Sequence, residues 1–166
     1  MISDPSVIVH PIPPTWDAHS EILILGSFPS VKSREAGYFY GHPQNRFWKV
    51  LAAVFDQAVP IGTEEKRSFL LHNRVAVWDV IASCRITGSS DSSIRDVNAN
   101  DISIILDGAE IRQIFCNGKT SFQLYNRYLL PAAGREAVCL PSTSPANAAW
   151  SLDRLTESWS KIRHPA

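Results

Sequence analysis

The chain has 166 residues, 45% hydrophobic and 19% charged, which suits one domain of the usual roughly 100 to 200 residues and excludes a disordered chain. Sixteen Lys and Arg balance sixteen Asp and Glu, so no long-range basic field marks a polyanionic partner, and any nucleic-acid surface has to be a local patch. Cys84, Cys116 and Cys139 lack C-x-x-C spacing. They are too few for a four-cysteine metal site and odd for a disulfide frame, which points to a reducing, cytoplasmic setting.

In chain order, residues 1–20 carry Pro5, Pro11, Pro13 and Pro14 and read as an extended lead-in, because each proline removes a backbone donor and restricts its predecessor. With Asp4 and His10 and no apolar h-region, the segment is not a signal peptide. No apolar run approaches the roughly 20 residues of a membrane helix, so no membrane partner is expected. A single domain is expected over 21–166. Glu21 to Leu25 (EILIL), stopped by Gly26 and Pro29, has the length and punctuation of a buried strand. After a long polar and aromatic loop, Phe47, Val50, Leu51 and Val54 recur at i, i+3, i+4, i+7, which predicts a helix from about Gln44 to Phe55.

Thr63, as an N-cap hydroxyl before Glu64 and Glu65, opens a second helix running to about His72. Arg74 to Val80 (RVAVWDV) reads as the next strand, and Ser89 to Asn100, rich in Ser, Asp and Asn, as a loop. A short helix capped by Asp101 follows to Asp107. Then come a strand at Ile111 to Cys116, a helix at Gly118 to Leu130, a strand at Ala137 to Leu140 and a helix from Asn147 to about Arg163. Strands alternating with helices predict a parallel α/β sheet covered on both faces. In such sheets ligands bind where loops leave the carboxyl ends of the strands, so the loops after Leu25, Cys116 and Leu140 hold the candidate site.

The first of these loops has no G-x-G-x-x-G and no Gly-Lys-Ser/Thr ending, which removes the dinucleotide and P-loop readings. Instead it mixes Phe28, Tyr38, Phe39 and Tyr40 with Lys32, Arg34, Arg46 and Lys49 against the single carboxylate of Glu35. Aromatics beside cations suit a planar base that stacks while phosphates are held, although Phe47 and Trp48 also read as helix-face core. Pro141 to Ala149 (PSTSPANAA) offers hydroxyls and backbone amides for phosphate, or merely an N-cap through Ser144 or Asn147. Ser142 and Ser144 are poor nucleophiles without G-x-S-x-G or an indicated His base. Asn117-Gly118 either presents an amide to one edge of a base or makes an ordinary tight turn.

Gly26-Ser27-Phe28-Pro29, the run Tyr40-Gly41-His42-Pro43-Gln44-Asn45-Arg46-Phe47-Trp48, Trp78-Asp79-Val80, Asn117-Gly118 and Pro141-Ser142-Thr143-Ser144-Pro145-Ala146-Asn147 together resemble the uracil-DNA glycosylase superfamily. The resemblance is strongest to its hypoxanthine-DNA (deoxyinosine) glycosylases and covers about Glu21 to Ile162. It implies a three-layer α/β/α fold with a central four-stranded, mainly parallel sheet. It also implies hydrolysis of the N-glycosidic bond of a deaminated base flipped from DNA, with no metal and no cofactor. The sequence departs from most branches of the superfamily at two points. Phe28 stands where a water-directing Asp or Asn is usual, and Leu140 where a His or Asn contacts uracil.

The roles that the resemblance implies fall as follows. Asn45 is the catalytic residue that orients water. Phe28, Phe39 and Asn117 bind the base. Lys32, Arg46, Ser142, Thr143, Ser144 and Asn147 hold DNA. Asp79 is either an acid or a helix cap. The protein is expected to act as a monomer on DNA containing a deaminated base. The alternatives are a catalytically weakened module that binds damaged or single-stranded DNA, and a hydrolase of free nucleosides.

Overall fold

The computed structural model describes residues 7–163; the first six residues of the expected lead-in and the last three of the expected domain lie outside them. The chain enters with strand β1 (Val7–Val9) and then β2 (Ile22–Gly26). Helix α1 (Val31–Ala36) lies inside the expected long loop, where the Ser30 hydroxyl accepts the Ser33 N–H and Gly37, left-handed at φ 75°, ends it. Six residues are too few for a helical period to show in the sequence. Helix α2 (Phe47–Val54) starts three residues later than expected, because the Asn45 side chain accepts the Phe47 N–H. Helix α3 (Thr63–His72) has the expected bounds, but Gly62 caps it and no side chain does.

Strands β3 (Val75–Asp79), β4 (Ile81–Arg85) and β5 (Arg95–Ala99) follow. The expected loop at Ser89 to Asn100 therefore ends in a strand. Its exposed polar residues, with only Val97 and Ala99 half-buried between them, pair antiparallel with β4 without the apolar run that would have announced it. After α4 (Ser103–Gly108), preceded by an Asp101 carboxylate that accepts the Ser103 N–H, come β6 (Gln113–Asn117) and α5 (Lys119–Tyr128). Pro131 opens a separate short α6 (Leu130–Ala133), since proline cannot continue α5. Strand β7 (Ala137–Leu140) has the expected bounds. Helix α7 (Leu152–Trp159) begins five residues after the expected Asn147, with Ser151 as the cap that accepts the Arg154 N–H.

Four strands in the order β3-β2-β6-β7 form a wholly parallel sheet, and β1-β4-β5 form a second, antiparallel one. Along β2, Ile22 and Ile24 pack with α2, α3 and α7 on one face, while Leu23 and Leu25 pack with α4, α5 and the small sheet on the other. A strand buried on both faces has to be apolar at every position, which is why β2 reads as a continuous apolar run. The fold is thus the expected three-layer α/β/α arrangement around a four-stranded sheet, with the antiparallel sheet added.

Of the lead-in, residues 7–20 pack against both sheets. Thr15 pairs with Val77 through both backbone bonds, and the His10 N–H donates to the Ala82 carbonyl. Ile12 is buried, and its carbonyl accepts from the Trp78 indole. Trp16 lies so close over Gly108 that any β-carbon there would overlap its ring. Gly108→Ala is expected to cost about 1–3 kcal/mol through overpacking. In denaturant titration this would appear as a lower midpoint at unchanged slope; an unchanged midpoint would mean that the strap yields freely.

Candidate active site at the carboxyl ends of the parallel strands

Parallel strands end on one side of the sheet, and here Asp79 of β3 pairs in register with Gly26 of β2, while Asn117 ends β6 opposite Leu140 of β7. A pocket of about 370 Å³ opens over this row, lined among others by Phe28, Phe39, Asn45, Asp79, Asn117 and Thr143. Its size lies at the lower end of the roughly 300–1,000 Å³ of small-ligand sites. Gly26 makes the floor: a β-carbon there would collide with Asp79 Oδ1 and come within 3.0 Å of the Tyr40 hydroxyl. Gly118, at φ 95°, turns the chain from β6 into α5, and any β-carbon there would press on Ser142 at 3.1 Å. Asn117-Gly118 is therefore both a turn and a source of a pocket-facing amide.

Thr143 is fully buried and joins both candidate asparagines. Its backbone N–H donates to Asn117 Oδ1 at 3.0 Å, and Asn117 Nδ2 donates to its Oγ1 at 3.0 Å. The Thr143 hydroxyl then gives its proton to Asn45 Oδ1 at 2.8 Å, which also accepts the Phe47 N–H at 2.9 Å. Because a backbone N–H can only donate, each amide oxygen is identified without ambiguity. Both amides thus have their oxygens engaged on protein donors, and Asn117 also gives one N–H to Thr143.

Arg46 anchors the loop that carries Thr143. Its guanidinium donates to the carbonyls of Asn147 at 3.0 Å, Ser144 at 3.5 Å and Trp150, and its backbone N–H to that of Thr143. Asn147 Nδ2 donates to the Ser142 carbonyl, and the Trp159 indole to that of Pro141. Ser142 and Ser144 hydroxyls accept the N–H groups of Ser144 and Ala146. These inward contacts hold residues 147–151 out of α7.

The pocket brings together Phe28, Phe39, Asn45, Asn117, Ser142, Thr143 and Ser144. It does not include Lys32, Arg46 or Asn147. Lys32 is exposed and lies 3.8 Å from Glu35, while Arg34 reaches the Gly88 carbonyl and lies 5.5 Å from the centre of the Phe28 ring. The four cations of the aromatic loop therefore do not form one open patch. Phe47 and Trp48 are buried core. The thiols of Cys84, Cys116 and Cys139 are all pushed up by burial, that of Cys116 to about 12, so none is a ready nucleophile.

Asp79 and Tyr40 line the pocket and His10 stands behind Asp79; of the three, only His10 is given no role by the sequence. Asp79 is buried and caps no helix; its Oδ2 lies 2.7 Å from His10 Nε2, and both side chains are almost wholly enclosed. His10 Nδ1 accepts the Ile12 N–H, so the ring proton is on Nε2 and is donated to Asp79. Tyr40 stacks on Phe47 with ring centres 3.9 Å apart. Its hydroxyl is buried with no hydrogen-bond partner among the described residues. Burial, then the Asp79 charge, push its pKa far up, and the nearby Asn117 amide offsets part of this. The position of Asp79 at the end of a parallel strand was the available signal, whereas His10, in a proline-rich segment, gave none.

Among the described residues no group of three or more His, Cys, Asp or Glu could hold a metal ion, and no helix is long and apolar enough to cross a membrane. The uracil DNA glycosylase superfamily model matches residues 13–163. The chain is 36% identical over 154 residues to a hypoxanthine DNA glycosylase of Methanosarcina acetivorans, covering 92% of this chain and 96% of that one. It is 34% identical over 151 residues to a hypoxanthine DNA glycosylase of Methanosarcina barkeri, covering 90% and 94%. The solution NMR structure of a candidate uracil DNA glycosylase from Methanosarcina acetivorans superposes with a TM-score of 0.78 at 36% identity, covering 92% of this chain and 94% of that one.

Proposed function

The chain belongs to the uracil DNA glycosylase superfamily and is a DNA glycosylase, and we propose that it releases hypoxanthine from deoxyinosine in DNA in preference to uracil. The observation that carries this reading is the hydrogen-bonded unit Asn117–Thr143–Asn45 at the pocket. Cleaving a base–sugar bond leaves an oxocarbenium-like sugar and an anionic base, so the site needs fixed donors toward the departing base and a positioned water. Asn117 Nδ2, with one proton on Thr143, has its second for the base carbonyl, where charge accumulates. Asn45 Oδ1 is filled by two donors, so this residue holds the water through its N–H groups, leaving a water lone pair for the sugar carbon. It acts by orientation, since an amide is no useful base near neutral pH.

Phe28 and Phe39 form apolar walls for the flipped base. The hydroxyl protons of Ser142 and Ser144 suit phosphate oxygens, because the oxygens themselves already accept backbone N–H groups. Thr143 and Asn147 hold that loop in shape, as does Arg46 from within, and Lys32 adds an outward charge. The protein works on this reading as a cytoplasmic monomer with no resident cofactor. Its lead-in from Val7 onward belongs to the catalytic unit.

The preference for hypoxanthine rests on what is missing and on stacking area. Phe28 places no amide or carboxylate where uracil-releasing relatives direct water, and Leu140 is fully buried and offers uracil no contact. A purine presents more surface to the aromatic walls. Single-turnover assays on duplexes carrying hypoxanthine or uracil, followed by alkali cleavage, are expected to show hypoxanthine release at least about tenfold faster, within the range of a 1–3 kcal/mol difference in pocket fit. Faster uracil release would overturn the preference, and tight binding without release would instead favour the non-cleaving module.

A further inference from the structure

We propose that Asp79 is the specificity residue that accepts the ring N–H of the deaminated base, paired with Asn117 as donor to the adjacent carbonyl, and that His10 is the positioning residue that holds the Asp79 carboxylate in place. The inference rests on the reading of the pocket as a base site. Asp79 and Asn117 end the two strands flanking β2, on either side of the side-chain-free Gly26. Adjacent strands lie about 4.8 Å apart, so two side chains face each other across a gap of two strand spacings, floored by glycine. Asp79 Oδ1 leans over that floor, since a β-carbon on Gly26 would strike it.

The orientations of the two groups are fixed by donors that cannot reverse. Thr143 N–H requires Asn117 Oδ1, so Asn117 turns only an N–H to the pocket. His10 Nε2–H requires Asp79 Oδ2, because His10 Nδ1 is held by the Ile12 N–H. The remaining Asp79 oxygen is an acceptor. A donor beside an acceptor complements a carbonyl beside a ring N–H, the edge of hypoxanthine, xanthine and uracil. Adenine and cytosine carry the reverse pattern, an amino group beside a bare ring nitrogen, and meet donor with donor and acceptor with acceptor. An amide free to rotate could accept either pattern, whereas this pair cannot. The Tyr40 hydroxyl, beside Gly26, Asp79 and the Asn117 amide, adds a third polar group at this floor.

The test compares hypoxanthine with N1-methylhypoxanthine, and uracil with N3-methyluracil, in otherwise identical oligonucleotides, by single-turnover release and by affinity. The unaltered protein is expected to favour each unmethylated base by about 100-fold or more, as a site built around a hydrogen bond rejects an analogue lacking it. In Asp79→Ala the ratio is expected to fall below about tenfold. Asp79→Asn is the near-isosteric control for folding. His10 would hold its oxygen and turn its NH2 toward the ring N–H, so the ratio is expected to collapse there too. His10→Phe, which keeps a ring but loses the donor, is expected to lower the ratio to an intermediate value with a cooperative thermal transition retained.

An unchanged ratio in both Asp79 variants would overturn the role of Asp79. An unchanged ratio in His10→Phe alone would overturn that of His10. Failure of the unaltered protein to release any base would overturn the proposed catalysis instead, and the affinity ratios would still decide the edge reading.

Discussion

Asn45→Ala is expected to slow single-turnover base release by about 10²–10³-fold, the usual cost of removing one preorganised donor at a developing charge or reacting group, while changing DNA affinity by less than about threefold. A residue that holds only the water contributes mainly in the transition state. The substitution also removes the acceptor of the Phe47 N–H at the start of α2, a hydrogen-bond loss of about 1 kcal/mol. Asn45→Asp separates these effects: one oxygen still takes the Phe47 and Thr143 donors, and the other replaces the water-holding NH2. It is expected to fold with near-native stability and to be slowed less than the alanine variant, because a carboxylate can still orient a water by accepting its proton. Equal losses of affinity and rate in both would make Asn45 structural.

Thr143→Val is expected to lower activity on hypoxanthine and uracil alike by about 10- to 100-fold and to cost about 1–3 kcal/mol of stability. The shape is retained, but Asn117 Nδ2 loses its buried acceptor and Asn45 Oδ1 one of its two donors, and unpaired buried polar groups carry their full desolvation cost. The loss of activity arises because both amides can then turn. Thr143→Ser keeps the hydroxyl and the backbone N–H and is expected to stay within a few-fold of the unaltered protein. A fully active valine variant with intact stability would show that the amides are held by something else.

Much of the site was legible because chemistry and strand ends coincide in short segments. Asn117 ends the strand that carries Ile114, Phe115 and Cys116 and could be named from its own neighbourhood as a base-edge amide or a turn, whereas Asn45 was named only through the family resemblance of the Tyr40 to Trp48 run. Arg46 was read as a phosphate contact because a loop arginine beside aromatics has no visible partner in the sequence. Its carbonyl acceptors lie about 100 residues away. Asp79 was read through its local alternatives, an acid or a cap, since its partner His10 is 69 residues distant in the chain. The strand Arg95–Ala99 was missed because an edge strand with polar faces satisfies its ladder without an apolar period.

The four parallel strands and all the helices among them except the short α1 and α6 were legible in the chain, because a sheet buried on both faces demands continuous apolar runs and a helix on its surface demands a 3.6-residue stripe, while the family was legible from its loop motifs. Those demands are local and leave a local trace. Only the tertiary structure decided which way each polar group faces. Thr143 sets the amides of Asn45 and Asn117 across separations of 98 and 26 residues, and His10 sets Asp79 across 69. A side-chain hydrogen bond has direction but no sequence period, so the setting of both amides and one carboxylate at the pocket follows from packing and from no pattern in the chain.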